Sequence, residues 1–323
     1  MLCLGIESTA HTFGVALTDG KKDLLNKRVI YTTKGGIHPR EASQFIAEKA
    51  PSLLTDINIK DVDLIAFSQG PGLGPCLQVG LAIAKAIAIY YEKPLIGVNH
   101  CIAHIEVGKW DTGCKDPLVI YTSGANTQII ALKGGKYRIF GETLDIGIGN
   151  AIDVFGRTLG FDFPAGPKLE KLAKKGKNFV ELPYTVKGMD LAFAGLVTAA
   201  GRKAKKAKNE QELADLAYSF QETIFGMLVE VSERALAHTE KREVMLVGGV
   251  AQNTRLREMF TGMAKQHEAK FLVPQPKYNG DNALMIAVTG LKAYKAGKRI
   301  IRPEKIGIRP KWRTDEVNIS WES

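Results

Sequence analysis

The sequence predicts an α/β fold built from two halves that repeat the same order of elements. Three observations support this. Short apolar runs near the amino terminus alternate with turn residues, runs of helical length follow them, and the whole pattern begins again at Pro117. With 323 residues, of which 45% are apolar, the chain is long enough to form two domains with their own cores.

The first half opens with a meander of three strands, separated by Thr, Asp and Gly residues that favour turns. Helices and strands then alternate. The predicted elements are strands at 2–8, 14–18 and 23–31, a helix near 39–54, a strand at 62–68, a helix from about 77 to 91 and a strand at 94–98.

The second half begins with a similar meander. Its predicted elements are strands at 118–122, 127–133 and 136–141, helices near Asp153 and at about 210–241, a strand at 243–247, a helix at about 253–265, a strand near Phe271 and a helix at 283–296. On the long helix, one apolar stripe predicts packing against a core; it consists of Leu213, Ala217, Phe220, Ile224 and Leu228. We expect a first lobe at 1–115 and a second lobe at 116–323. The second lobe should contain a helical insertion, and its final helix can pack back on the first lobe.

Two such halves are typical of the actin, sugar-kinase and Hsp70-like ATPases, whose two lobes face each other across a cleft. In that superfamily, backbone N–H groups of the two first hairpin turns approach nucleotide phosphates. Here the turns read Glu-Ser-Thr-Ala at 7–10 and Ser-Gly-Ala-Asn at 123–126. Ordinary tight hairpins would also have these residue types.

The net charge of +10 favours a polyanionic partner such as RNA. Basic residues concentrate at 202–208, at 168–177 and at 292–313. Each cluster alone is compatible with a solvated surface. The presence of three clusters favours nucleic acid.

The remaining composition indicates a cytoplasmic protein without a membrane segment. The four cysteines form no CxxC pair, so a disulfide framework is not expected. The amino terminus has no charged leader, and Lys85 interrupts the longest apolar run.

Two histidines, His100 and His104, have the spacing that places both imidazoles on one face of a helix. Such a pair can chelate a divalent ion, although many such pairs are only hydrogen-bonded histidines. Asp281 and Tyr121 are candidates for further ligands. A metalloprotease would need Glu directly after the first His, and this chain has Cys101 there.

A strand that runs through Gly248 and Gly249 into a helix would suit an adenosine, because glycines leave space for a flat ring and a ribose. Asn253 could bond the sugar. It could equally be the N-cap of the following helix.

Several motifs together resemble the archaeal and eukaryotic threonylcarbamoyl transferase subunit of the KEOPS complex, which is related to bacterial TsaD. The resemblance covers essentially the whole chain. It is carried by the segments at 5–12, 34–39, 68–75, 98–104, 145–153, 187–191, 218–223 and 247–251. Two small departures, Ser8 and Ala125, stand where relatives often have Gly, and each is expected to narrow access near a phosphate.

The resemblance implies one divalent metal, iron more than zinc, held by His100, His104 and Asp281 with Tyr121 as a weaker fourth ligand. It also implies a set of residues that contact the adenylate substrate: Tyr121, Thr122, Ser123, Gly124, Ala125, Asp153, Gly166, Glu170 and Asn253. Carboxylates such as Asp153 and Glu170 suit the ribose hydroxyls.

The implied reaction transfers threonylcarbamoyl from threonylcarbamoyl adenylate to the N6 amine of the adenosine 3′ to the anticodon, in tRNAs that read codons beginning with A, and releases AMP. Glu7 and His11, beside the first turn, are the candidates for the general base. The implied partners are tRNA, a small protein kinase, small accessory subunits and a separate synthase for the adenylate. An ATPase or sugar kinase, or a nucleic-acid scaffold without chemistry, remains as an alternative.

Overall fold

A computed structural model describes residues 1–33, 36–298 and 300–322. Lys34 and Gly35, which begin one of the family motifs, and Arg299, in the third basic cluster, lie outside these residues. The chain forms two compact units. Unit 1 comprises Met1–Gly113, Lys133–Tyr137 and Pro274–Ser323, and unit 2 comprises Cys114–Leu132 and Arg138–Val273.

The elements alternate as the sequence predicts. Up to residue 113 they are β1 (Cys3–Glu7), β2 (Thr12–Thr18), β3 (Asp23–Ile30), α1 (Pro39–Leu54), β4 (Leu64–Gly70), α2 (Gly74–Tyr90), β5 (Leu95–Asn99) and α3 (His100–Thr112). They continue with β6 (Leu118–Thr122), β7 (Thr127–Lys133), β8 (Lys136–Glu142), α4 (Ile148–Thr158), α5 (Gly166–Ala173), β9 (Val186–Lys187), β10 (Asp190–Leu191), α6 (Ala194–Ala204) and α7 (Glu210–Thr239). The last are β11 (Glu243–Val247), α8 (Thr254–Gln266), β12 (Lys270–Leu272), α9 (Pro276–Asn279) and α10 (Ala283–Lys295).

Unit 1 is a five-stranded mixed sheet in the order β3-β2-β1-β4-β5, with helices on both faces. Side chains alternate along each strand, so each face buries its own set. Leu4 and Ile6 of β1 join the core formed with α1 and α2. Cys3, on the opposite face, joins the core formed with α3 and α10. In this sheet only β4 separates β1 from β5.

The final helix α10 lies directly on the sheet of unit 1, because glycines allow the backbones to approach closely. A Cβ on Gly5 would lie 2.3 Å from the carbonyl oxygen of Ala283, and one on Gly290 would lie 2.4 Å from the Cβ of Ala66. The whole segment Pro274–Ser323 belongs to unit 1. From the sequence we expected this segment in the second lobe, with only its final helix packing on the first lobe.

Unit 2 contains a second five-stranded sheet, in the order β12-β11-β6-β7-β8, with helices that share one large core. Four members of the predicted stripe on α7 are fully buried there, from Ala217 to Leu228, whereas Leu213 is half-buried. The sequence missed α5, α6 and the small β9–β10 hairpin. Among the described residues, no helix is long and apolar enough to cross a membrane, and none of the four cysteines forms a disulfide.

Candidate functional site

The two predicted histidines lie in the first turns of α3, directly after β5. The side chains of His100 and His104 are buried, and their ring centroids are 4.8 Å apart in an edge-to-face arrangement. Both imidazoles therefore lie on one face of the helix, as their spacing predicts.

Asp281 meets this pair from the loop between α9 and α10. Its Oδ1 lies 3.5 Å from Nε2 of His100 and 3.2 Å from Nε2 of His104. The three possible ligand atoms all lie within 4.8 Å of one another. Arg28 of β3 holds the loop by donating to the carbonyl oxygen of Asp281 at 2.9 Å. Two imidazoles and a carboxylate that converge in this way can hold a divalent cation.

The charges within this cluster depend on burial and on the carboxylates around it. Burial disfavours the charged imidazole of His100, but Glu7 and Asp281 outweigh it and raise the pKa of His100 to about 9. Burial lowers the pKa of His104, and the charge on His100 adds to this effect. Burial would raise the pKa of Asp281, but the two imidazoles hold it well below its usual range. The carboxylates of Glu7 and Asp281 thus favour a positive charge within this cluster.

Glu7 ends β1 with its carboxylate buried against His100. Its Oε2 lies 3.1 Å from Nδ1 of His100, and its Oε1 accepts from the backbone N–H of Thr9 at 2.8 Å. The hydroxyl of Thr9 also donates to Oε1. The other general-base candidate, His11, lies close enough to Asp281 to contribute to lowering its pKa.

Asn99 joins the histidine helix to the carboxyl-terminal segment. Its Oδ1 accepts from the N–H groups of Cys101 and Ile102 and so caps α3, while its Nδ2 donates to the carbonyl oxygen of Trp312 at 3.1 Å. An Asn directly before a helix is a sequence signal for such a cap.

Ser8, one of the two departures from the family motif, directs its hydroxyl into the protein. The hydroxyl donates to the carbonyl oxygen of Cys76 at 2.8 Å, and the side chain is fully buried. Gly80 makes room for it, because a Cβ there would lie 2.6 Å from the Cβ of Ser8. The added side chain is thus accommodated within unit 1.

In unit 2, three of the predicted substrate-binding residues line one cavity. The cavity encloses about 210 Å³, its open mouth included, and its polar residues are Glu170, Gln221 and Asn253, with Gly166 at the start of α5. The space open to the centre of a water molecule is only about 10 Å³, so the cavity in this conformation admits about one water.

Polar groups around this cavity are held by hydrogen bonds. Asn253 caps α8 by accepting from the N–H of Leu256, which is one of its two predicted roles, and its Nδ2 donates to Gln221. Glu170 accepts from the N–H of Thr254 at 3.2 Å. Asp153 accepts from the N–H of Ala165, the residue before α5.

The second hairpin turn packs closely against its neighbours in unit 2. The N–H of Gly149 donates to the carbonyl oxygen of Ser123, and that of Asn150 donates to the carbonyl oxygen of Gly124. Thr122, at the end of β6, lies beside Gly248. Gly248 has a φ of +100°, which residues with a side chain rarely adopt, and the backbone of Thr122 fills the space where a side chain would begin. A Cβ on Gly248 would lie 2.3 Å from the carbonyl oxygen of Thr122.

The predicted residues thus fall into two groups. Glu7, His11, His100, His104 and Asp281 lie in unit 1, whereas all of the predicted substrate residues lie in unit 2. The latter are Tyr121, Thr122, Ser123, Gly124, Ala125, Asp153, Gly166, Glu170 and Asn253. Because Tyr121 belongs to unit 2, its part in a metal site stays a prediction.

Sequence comparison finds relatives along the whole chain. Residues 22–288 match the TsaD family, described as tRNA N6-adenosine threonylcarbamoyltransferase. A protein of that name from Thermococcus sibiricus is 56% identical over 328 residues, which cover 99% of this chain and 100% of the relative.

Solved structures that resemble this chain share its fold at low sequence identity. HypF from T. kodakarensis has a TM-score of 0.59 and 17% identity, and the match covers 91% of this chain but only 48% of HypF. The activator of the 2-hydroxyisocaproyl-CoA dehydratase from Clostridium difficile has a TM-score of 0.54 and 14% identity, with 91% and 96% coverage. Both support the predicted actin-like class of fold.

Proposed function

This chain belongs to the TsaD family of tRNA N6-adenosine threonylcarbamoyltransferases, and we propose that it transfers threonylcarbamoyl from its adenylate to the adenosine 3′ to the anticodon. The observation that carries this proposal is the convergence of His100, His104 and Asp281 in a chain that matches the family along its length. A sugar kinase would instead need carboxylates for magnesium and for a base.

The reaction forms one bond and breaks another at the carbamoyl carbon. The N6 amine of adenosine attacks this carbon, the bond to the phosphate oxygen breaks, and AMP leaves with the electron pair of that bond. The amine gives up one proton. We assign the acceptance of this proton to His11, because Glu7 is fully buried and both of its oxygens are already hydrogen-bonded.

The donor set of the cluster fits a divalent metal. Two imidazole nitrogens and one carboxylate, with positions left open, are typical of iron(II) sites and also occur with zinc, and we expect iron more than zinc. When bound, the ion would supply a Lewis acid for the threonylcarbamoyl group. Tyr121 is proposed as a weaker fourth ligand.

The residues around the cavity of unit 2 are proposed to bind the adenosine part of the adenylate. Glu170 has a carboxylate for the ribose hydroxyls, and Asn253 adds an amide beside Gly166. Asp153, outside the lining of the cavity, is proposed to add a second carboxylate. The turn from Tyr121 to Ala125 presents backbone groups to the phosphate, in the manner of other phosphate-binding turns.

We further propose that the chain works in the cytoplasm within a KEOPS-type complex. Its partners would be tRNA, a small protein kinase and small accessory subunits, with a separate synthase that supplies the adenylate. The positive net charge supports the tRNA partner.

The test combines transfer activity with metal content. Purified protein is incubated with threonylcarbamoyl adenylate and tRNA, together with the partner subunits, and the nucleosides are analysed. We expect a double change of His100 and His104 to Ala to remove bound metal and to lower transfer about 100-fold or more, because the Lewis acid is lost.

The matched control changes His238 and His267, two histidines of unit 2, to Ala and should keep both metal and activity. Full transfer by the metal-free double variant would refute the metal's role. ATP turnover by the wild-type protein, without any modified adenosine, would favour the ATPase alternative.

A further inference from the structure

Glu7 is a carboxylate without contact to solvent, and its hydrogen bonds account for both of its oxygens. Oε1 accepts from the N–H and the hydroxyl of Thr9, and Oε2 faces Nδ1 of His100 at 3.1 Å. A buried carboxylate is costly unless its oxygens are paired in this way. A general base, in contrast, needs an oxygen that the substrate's proton can reach, and Glu7 is 0% exposed.

The contact with Glu7 determines what His100 can do. A carboxylate only accepts, so Nδ1 of His100 must carry the hydrogen and donate it to Oε2. In the neutral imidazole, the form that binds a metal, Nε2 then keeps its lone pair; it lies 3.5 Å from the same Oδ1 of Asp281 that Nε2 of His104 approaches. Glu7 therefore fixes both the tautomer and the rotation of the ring.

Thr9 keeps this carboxylate in place. Its hydroxyl also lies 3.3 Å from Nδ1 of His100, so Thr9, Glu7 and the imidazole form one buried group. Because Thr9 follows β1 by two residues, the hairpin turn itself supplies the support.

We propose that Glu7, held by Thr9, is a positioning residue that orients His100 to bind a divalent metal through Nε2, and that it is not the general base. This inference rests on the proposed metal site at His100, His104 and Asp281. Carboxylates that bind the second nitrogen of a metal-bound histidine raise the affinity of the site for its metal.

The experiment measures cobalt(II) binding, by titration and by the visible absorption spectrum of the bound ion, in the purified full-length chain. For Glu7→Gln we expect a dissociation constant about 10–100-fold higher and an altered spectrum, since a neutral amide no longer fixes the tautomer. For Thr9→Val, which removes one donor to Glu7, we expect a smaller change in the same direction.

Glu106→Gln is the matched control. Glu106 is also 0% exposed and lies on the same helix as His100, but it pairs with Lys292 and Tyr137. This variant should lose stability yet keep the cobalt affinity and spectrum of the wild type.

The outcomes separate this inference from the proposed function. If the wild type binds none of cobalt(II), nickel(II), zinc(II) and iron(II) at the site that contains His100, the proposed metal site is refuted. This inference, which rests on that site, is then refuted as well. If the wild type binds the ion and Glu7→Gln binds it equally well while losing transfer activity, Glu7 acts as the base and only this inference is refuted. If Glu7→Gln does not fold, an unchanged affinity in Thr9→Val refutes the inference.

Discussion

At the scale of single residues, Asp215 on α7 shows how one carboxylate can order a loop. It accepts from the N–H groups of Lys177 and Asn178 and from the side chains of Asn178 and Gln211. These hydrogen bonds, first that from Lys177, hold the pKa of Asp215 well below its usual range.

We predict that Asp215→Asn destabilises the protein at neutral pH and that the difference from the wild type shrinks in acid. A carboxylate whose pKa is lowered by folding stabilises the folded state above its unfolded pKa of about 3.9, and this stabilisation is lost as the pH falls through the folded pKa. Urea unfolding at pH 7 and at pH 3 measures the effect.

The control for this prediction is Asp162→Asn, because the side chain of Asp162 is 68% exposed. It should change stability little at either pH. A cost of Asp215→Asn that is equally large at both pH values would contradict the prediction.

The sequence could predict single residues where the signal was local. The spacing of His100 and His104 is such a signal. At Asn253 the sequence allowed either a helix cap or a contact with the sugar, and the structure shows the cap. Asp281 was one of two candidates for a further ligand, and no local spacing could single it out, because 177 positions separate it from His104. The contact of Glu7 with His100 depends on the sheet order β1-β4-β5, which no local pattern reveals.

At the scale of elements, α3 depends on a cap that also bonds the carboxyl-terminal segment. We predict that Asn99→Ala lowers the free energy of unfolding by more than the ~1 kcal/mol of an ordinary cap, because the bond to Trp312 is lost as well. The cobalt affinity should also fall, since His100 directly follows the cap. Urea unfolding and cobalt titration measure the two effects.

Asn209→Ala is the matched control, because Asn209 caps α7 through the N–H of Glu212. It should cost about 1 kcal/mol and leave cobalt binding unchanged. An equal cost for both variants, with unaltered cobalt affinity in Asn99→Ala, would show that the bond to Trp312 contributes nothing.

The predicted bounds agree best with the structure where Gly, Pro, Asn or Ser residues mark the ends of a segment. Helix α1 and strands β6, β7 and β11 have the predicted bounds. Helix α5 was missed because it is short and starts with Gly and Pro, and α6 was missed because two Gly residues interrupt its helical pattern. The return of α10 to unit 1 depends on close contacts at Gly5 and Gly290, which sequence periodicity does not register.

At the scale of the whole molecule, the charge of +10 is the feature that composition alone could relate to function. The basic cluster at 202–208 ends α6, and its Lys and Arg side chains are exposed. Cations at the carboxyl end of a helix also interact favourably with the helix dipole, so the cluster has a structural explanation that does not involve RNA. Only a measurement with tRNA separates the two explanations.

We predict that changing Lys203, Lys205 and Lys206 together to Glu weakens tRNA binding and flattens its salt dependence. These three side chains are exposed, and none of them forms an ion pair with a described residue. If each contacts a phosphate, the slope of log K against log salt concentration should fall by about 2–3, because fewer counterions are released. The same change of charge at Lys21, Lys22 and Lys60, exposed lysines of unit 1, controls for the net charge. If the slope falls equally in both triple variants, net charge alone attracts the tRNA. If the slope is unaltered in the variant of Lys203, Lys205 and Lys206, the cluster is only a solvated helix end and does not contact the tRNA.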